Sequence, residues 1–186
     1  MNSIRLLRDQ LQQAHAFLDG TIADVTVDQA HWVPPGRANP VGATYAHLLF
    51  GEDAFVASFT GRRPLFETDG VERTGVSELP PLAAAGAALP LGTEWFDWGR
   101  RLRVDLPVLR AYGLGVRQAT DDFLAALSEE DLATTVDLSQ AGFGSPSLAW
   151  VLSAGLIGHT LSHWGEIVCL KGLQGDQLSA WIEQTG

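Results

Sequence analysis

The stretch SPSLAWVLSAGLIGHTLSHWGEIVCLKG, residues 145–172, decides how the rest of the chain is read. It opens on Ser145-Pro146: a side chain able to cap free backbone N–H groups, then a residue whose missing N–H costs nothing in a first helical turn. It closes on Lys171-Gly172, a cation for the negative end of the helix dipole and a residue that turns easily out of it. Between them Leu148, Leu152, Gly155, His159, Glu166 and Leu170 recur at helical spacing. The apolar run from Leu148 to Ile157 is interrupted by serine and glycine and is too short to span a bilayer. The spacing predicts a helix that turns its histidines inward.

Three more segments read as helices. The first runs from about Ile4 to Asp24, capped by Asn2 or Ser3, with a stripe of Ile4, Leu7, Leu11, Ala14, Leu18 and Ile22. The loop His31-Trp32-Val33-Pro34-Pro35-Gly36 breaks regular structure, and Asn39-Pro40 then opens a second helix that reaches about Thr60. That helix is apolar around most of its circumference and is expected to be buried on several sides. The third covers about Asp105 to Leu127, with Pro107 tolerable only in its first turn and a stripe of Leu109, Tyr112, Val116, Ala119, Phe123 and Ala126. Ser128 caps a short turn after it.

Residues 61–99, punctuated by glycine and proline, read as a long connection in which Leu82 to Leu89 forms a short helix. Thr134 to Leu138 is the one extended piece. The expected fold class is all-α, a four-helix bundle.

Composition bounds the function. At roughly 150 residues per domain, 186 residues make a single domain, 1–186. Hydrophobic residues at 46% against 18% charged suffice for a packed core and exclude disorder as the dominant state. Twelve Lys and Arg against 22 Asp and Glu give a net charge of −10, which repels phosphate backbones and anionic lipid. No nucleic-acid or membrane partner is expected. The single cysteine, Cys169, allows no internal disulfide and no Cys-rich metal site. With charges at Arg5, Arg8 and Asp9 in place of a signal core, the chain is expected to be soluble and cytoplasmic.

His159 and His163 stand four apart, so their side chains leave the helix about 40° from one another, one turn apart. Two imidazoles so placed can bind one metal ion, and Glu166 lies in the same arc as a further ligand or as a partner to one. His47 on the second helix is the third candidate: either a buried histidine bonded to a backbone carbonyl, or a ligand brought close by the small neighbours Ala43, Gly51 and Ala54. Three histidines from two helices, with a position left open, is the ligand count of a catalytic zinc-type site. Glu52 and Asp53 read as solvated helix charges, with the alternative that one of them fixes an imidazole.

Other chemistries fail on specifics. Thr160 stands where HExxH needs Glu, and Thr44, Leu156 and Thr160 stand where a di-iron cage needs Glu three before His. Gly142-Phe143-Gly144-Ser145-Pro146 is no dinucleotide fingerprint. Cys169 reads as a packed thiol, and His15 and His31 as residues outside the triad, His31 in a surface or capping role.

The order of a helix, Trp32-Val33-Pro34-Pro35, Asn39-Pro40 with His47, a long connection, a third helix and His159-Thr-Leu-Ser-His163-Trp-Gly-Glu166 resembles the DinB-like superfamily of metal-binding four-helix bundles. The likeness extends from about residue 3 to 174 and takes in the YfiT-type proteins and the mycothiol-dependent maleylpyruvate isomerases. It implies up-up-down-down wiring with the long connection between the second and third helices. It also implies one divalent metal ion, nickel or zinc, on His47, His159 and His163, and a homodimer. Characterised relatives use low-molecular-weight thiols such as mycothiol, bacillithiol or glutathione, so the resemblance implies a thiol transferase or isomerase acting on a small molecule. Glu166, in the arc of the two histidines, is the one catalytic residue expected, to orient a ligand or move a proton. A metal-loaded bundle that binds or senses a small ligand without turnover is the alternative, and a structural dimer with packed histidines a third. Arg100, Arg101 and Arg103 are the one dense basic group available to grip an anionic thiol.

Overall fold

The computed structural model describes residues 2–81, 93–139 and 142–176. Among them the chain is helical, with isolated β-bridges as its only extended pairing. Helix α1 (Ser3–Ile22) begins where expected, because Asn2 Oδ1 accepts the Arg5 N–H at 2.9 Å. It buries Leu7, Leu11, Ala14, Leu18 and Ile22. A short helix α2 (Val27–His31), unexpected from the sequence, follows on a reciprocal cap between Thr26 and Gln29. Five residues carry too little periodicity to read.

Helix α3 (Val41–Thr60) starts one residue later than the Asn-Pro signal implies. Pro40 is itself the cap residue, with φ −58° and ψ 152°, and Asn39 does not cap it. Instead the Asn39 side chain lies against Gly99, where a Cβ would come within 2.8 Å of its Cγ. The helix is buried on several sides, as expected, and its two carboxylates correct the sequence reading: Glu52 and Asp53 are 5% and 0% exposed. Their partners come from other helices, which no local pattern reveals.

The connection carries two helices in its described part, α4 (Leu65–Thr74) and α5 (Thr93–Arg101), and α5 drives Trp98 into the core. The helix expected at Leu82 to Leu89 lies outside the described residues. Gly75, at φ 73°, leaves α4 in the left-handed region with the α6 backbone so near that a Cβ would meet Leu109 N at 2.7 Å. Bonds from Asp105 N–H to the Gly75 carbonyl and from Ser77 N–H to the Arg103 carbonyl fasten the connection to the start of α6.

Helix α6 (Leu106–Ala126) has Asp105 as cap and Pro107 in its first turn. Its buried stripe is Leu109, Tyr112, Val116, Thr120 and Leu124, so the second half departs from the expected Ala119, Phe123 and Ala126. Steps of four continue through Thr120, whose hydroxyl is satisfied inside, where the apolar reading steps around it. Ser128 caps α7 (Glu129–Leu132) reciprocally with Asp131, and Thr135 and Leu138 pair with Ser147 and Gly144.

The decisive stretch is one continuous helical run of two kinds. Ser147, two residues beyond the expected Ser145, caps α8 (Leu148–Trp150); a π-helical stretch (Val151–Gly158) follows, then α9 (His159–Leu173). A wider turn takes more residues per revolution, so Leu156 and Ile157 point inward and Gly155, expected in the stripe, is exposed. Gly172 does not close the helix: Gly175, at φ 82°, makes the turn.

The four long helices touch in a ring, α1 against α6 and α9, and α3 against α6 and α9. One core gathers Leu18, Tyr45, Leu49, Phe50, Leu109, Val116 and Ile167, and a second gathers Leu7, Leu11, Leu124, Leu148 and Leu152 toward one end. No helix among the described residues is long and apolar enough to cross a membrane.

Asp53 fastens this core to the connection. Its Oδ2 accepts the Tyr112 hydroxyl at 2.8 Å and the Phe66 N–H at 3.1 Å, and Arg62 lies 2.8 Å from its Oδ1. Asp53→Ala leaves Tyr112, Phe66 and Arg62 without their partner and is expected to cost about 3–5 kcal/mol in urea unfolding. Tyr112→Phe, which removes one bond and keeps the ring, is expected to cost about 1–2 kcal/mol. Equal losses from the two would sink the assignment of Asp53 as the hub.

Candidate metal centre

The α3–α9 contact brings His47, His159 and His163 together as a group that could hold a metal ion, with ligand atoms all within 4.8 Å of one another. His159 is the first residue of α9, set directly after the π-helical stretch, and His163 follows one turn later. Across from them His47 stands one turn before Gly51, where a Cβ would sit 3.7 Å from His159 Cε1. The three rings meet edge to face, with centroids 4.6 to 5.1 Å apart.

The closest approach tests the fit. His47 Nε2 and His159 Nε2 lie 3.2 Å apart. Two nitrogens bound tetrahedrally at ~2.0–2.1 Å from one zinc-sized ion stand ~3.3 Å from each other. The residues fit such an ion. His163 is oriented as well: its Nδ1 meets Glu166 Oε2 at 2.7 Å, which leaves Nε2 to face the other two rings. Of the two roles left open for Glu166, the geometry gives it the partner's. Its side chain is 35% exposed and that of His163 27%, so this side of the group reaches water.

Burial, and after it the neighbouring rings of His159 and His163, holds the His47 pKa down to about 3. Burial and then His163 lower His159 to about 4, with Glu52 opposing them. Both rings are therefore neutral at pH 7, the form that donates a lone pair to a metal.

Other candidates fall elsewhere. Glu52 does not fix a ligand imidazole; its partners are His15, with Nε2 2.8 Å from Oε2, and the Thr120 hydroxyl, 2.6 Å from Oε1. His31 ties α2 to the segment before α6, with Nδ1 at the Val27 carbonyl and Nε2 accepting the Val104 N–H. Cys169 is exposed and not packed. Ile167 and Leu170 set the inward direction of α9, and Cys169 leaves the helix about 200° and about 100° from them. Arg100 donates to the carbonyls of Gly36 and Ala38, and Arg101 forms a two-pronged pair with Glu78.

One residue at the site went unread in the sequence. Trp95 on α5 packs edge-on to His47 at 4.7 Å between centroids and leans on Trp98 at 5.1 Å. Its distance along the chain hides it; the helical spacing of Trp95 and Trp98 is the only local signal.

In the unfolded chain both histidines titrate near ~6.5. The unfolded state then takes up protons that the folded state refuses, so metal-free protein keeps its full stability above that value. It is expected to lose stability as pH falls from about 6.5 toward the folded values of about 4 and about 3. Urea midpoints across that range check this: a flat profile from pH 7 to pH 5 contradicts it, and His47→Phe should flatten the wild-type slope.

The family model of the DinB superfamily matches residues 10–167. A crystal structure described as a conserved protein from Enterococcus faecalis superposes with a TM-score of 0.74 at 20% identity, covering 95% of this chain and 99% of that one. At that identity the likeness speaks for the fold. No curated protein matches the sequence. By its sequence match and its helical architecture, the chain belongs to the DinB superfamily.

Proposed function

We propose that the chain is a divalent-metal-dependent enzyme acting on a small molecule, of the thiol S-transferase or isomerase type, with His47, His159 and His163 as ligands of one Ni2+ or Zn2+ ion. The observation that carries this reading is the 3.2 Å approach of His47 and His159 beside a His163 already oriented by Glu166. Neutral, pre-aimed imidazoles from two helices are built for an ion and gain nothing as packing alone. A divalent ion so held supplies a Lewis acid that lowers the pKa of a bound thiol or water.

The chain's own residues do the rest. Glu166 holds the Nδ1 proton of His163, which fixes the tautomer and keeps the ring turned to the site. Its carboxylate, partly exposed, is the group placed to take up the proton that a thiol or water gives away. Trp95 presents an apolar edge beside His47, suited to the carbon skeleton of a small substrate and to keeping water off that ligand. The same reading includes up-up-down-down wiring in a single domain, a homodimer and a cytoplasmic setting.

Untagged protein assayed by plasma mass spectrometry is expected to carry about one nickel or zinc ion per chain, and His159→Ala to lose it while the helical circular dichroism survives. Glu166→Gln is expected to keep the ion with affinity lowered about ten-fold and to lose most of its turnover. Stoichiometric metal retained in His159→Ala overturns the site. Loaded protein that consumes no thiol across a panel of bacterial thiols with electrophiles overturns the thiol chemistry and leaves the metal site standing.

A further inference from the structure

The outer seam where α1 packs against α9 is a groove with an aromatic floor. Phe17 and Trp164 stack there with ring centroids 5.1 Å apart, and the Trp164 indole N–H donates to the Thr21 hydroxyl at 2.9 Å. Along α9 the same side carries Leu161, Gly165, Val168 and Gly172, at steps of four, three and four, and α1 adds Gly20. Leu161 is 37% exposed. A Cβ at Gly20, Gly165 or Gly172 would meet nothing within 4 Å among the described residues, so the groove has room. None of these side chains is ionised, and Asp24 and Lys171, paired with each other, close one end. In a chain of net charge −10, a run of outward positions without a charge is not the composition of a face left to water.

We propose that this groove is the seat of the chain's own segment 177–186, with Trp181 laid on the Phe17–Trp164 pair. That segment lies outside the described residues, and the last described one, Asp176, is held at the end of the groove. Its carboxylate accepts from Gln29 Nε2 at 3.0 Å and lies 3.4 Å from Lys171 Nζ. The same ammonium donates to the carbonyl of Thr21 at 3.0 Å, and Thr21 is the residue whose hydroxyl holds Trp164. The start of the segment and the aromatic pair therefore meet at one residue. Gly175, at φ 82°, has already turned the chain out of α9. Five residues from Asp176 to Trp181 reach up to about 17 Å, and Phe17 stands only about one helical turn from Thr21. Leu178, Trp181 and Ile182 recur at i, i+3 and i+4, and Glu183 is the one ionised side chain of the segment. Such a segment suits an uncharged groove floored by two rings. Tethered by a few residues, it is present at an effective concentration on the order of millimolar, against which a second copy competes poorly. Seated there, it clamps α9, the helix of His159 and His163, against α1.

The test is the unfolding temperature of the full chain, of Trp181→Ala and of a chain ending at Asp176, each with and without Val168→Glu. Trp181→Ala and the shortened chain are expected to unfold about 4 °C or more below the full chain. Val168→Glu sets a charge beneath the seated segment. It is expected to lower the unfolding temperature of the full chain by a similar amount and to shift the shortened chain by less than about 2 °C, because there the new carboxylate stands in water. Should the shortened chain not fold, Trp181→Ala takes its place in that comparison. Equal unfolding temperatures with and without the segment overturn the proposal, and so does a Val168→Glu effect of the same size in both backgrounds. Sedimentation velocity names the rival occupant. A full chain that sediments as a dimer, becomes monomeric in Val168→Glu and stays dimeric without residues 177–186 gives the groove to a second copy and overturns the proposal. None of these readings depends on whether the three histidines hold an ion.

Discussion

The close approach of α3 and α9 is the constraint on which the rest depends. Two imidazole nitrogens 3.2 Å apart require backbones near enough for short side chains to fill the gap, and Gly51 supplies that on α3. On α9 the requirement is met by phase. The π-helical stretch ends at Gly158 and α9 begins at His159, so the widened turn sets the direction in which both histidines leave the helix. A regular helix from Ser147 would keep Gly155 inside and rotate the histidines relative to Leu148 and Leu152. The irregularity therefore has a local effect: it lets one helical run serve the apolar cluster at its start and the three-histidine group in its middle.

The interior answers the site with polar residues in fixed places. Asp53 binds α3 to α4 and α6 through Phe66 and Tyr112, and Glu52, one residue earlier, binds α3 to α1 and α6 through His15 and Thr120. Neighbours on a helix point about 100° apart, so these two carboxylates serve different interfaces of the same helix. Lys171, buried at the other end of α9, bonds to the Thr21 carbonyl and Asp24 and so pins α9 to α1. The contacts of α3 with α1, α4 and α6, and of α9 with α1, thus carry directional bonds as well as apolar contact. Apolar packing alone tolerates sliding; such bonds do not.

What the sequence disclosed was whatever a few adjacent residues determine. Asn2 and Asp105 cap helices because their partners lie three residues on, and His159 with His163 can be paired on paper because a helix fixes what stands four apart. His47 stood beside them as a candidate because of its small neighbours Ala43, Gly51 and Ala54, with a buried histidine bonded to a carbonyl as the alternative, and the resemblance then gave it the ligand's role. The rest was hidden by distance. Glu52 and Asp53 look like ordinary surface charges until His15, Thr120, Tyr112 and Phe66 are brought to them from other elements. The π-helical turn leaves no sign in Val151–Gly158, a run of small and apolar residues that suit either winding. Trp95 sits in a segment read as mere connection, and its partner His47 is on another helix.

The basic residues show how far a site can be misjudged by proximity in sequence. Arg100, Arg101 and Arg103 look like a grip for an anionic thiol. Arg100 instead ties α5 to the Pro-Gly loop through the carbonyls of Gly36 and Ala38, and Arg101 ties it to Glu78. Both bonds help hold the helix that carries Trp95 against His47. Losing either arginine would move the wall of the site before it altered any attraction for an anion, so a loss of activity in such a variant would not identify a substrate's charge. Glu166 lies on the exposed side of the three-histidine group, paired to His163. The partners of Arg100 and Arg101 thus leave Trp95, an apolar edge beside His47, as the feature of α5 that the three-histidine group meets directly.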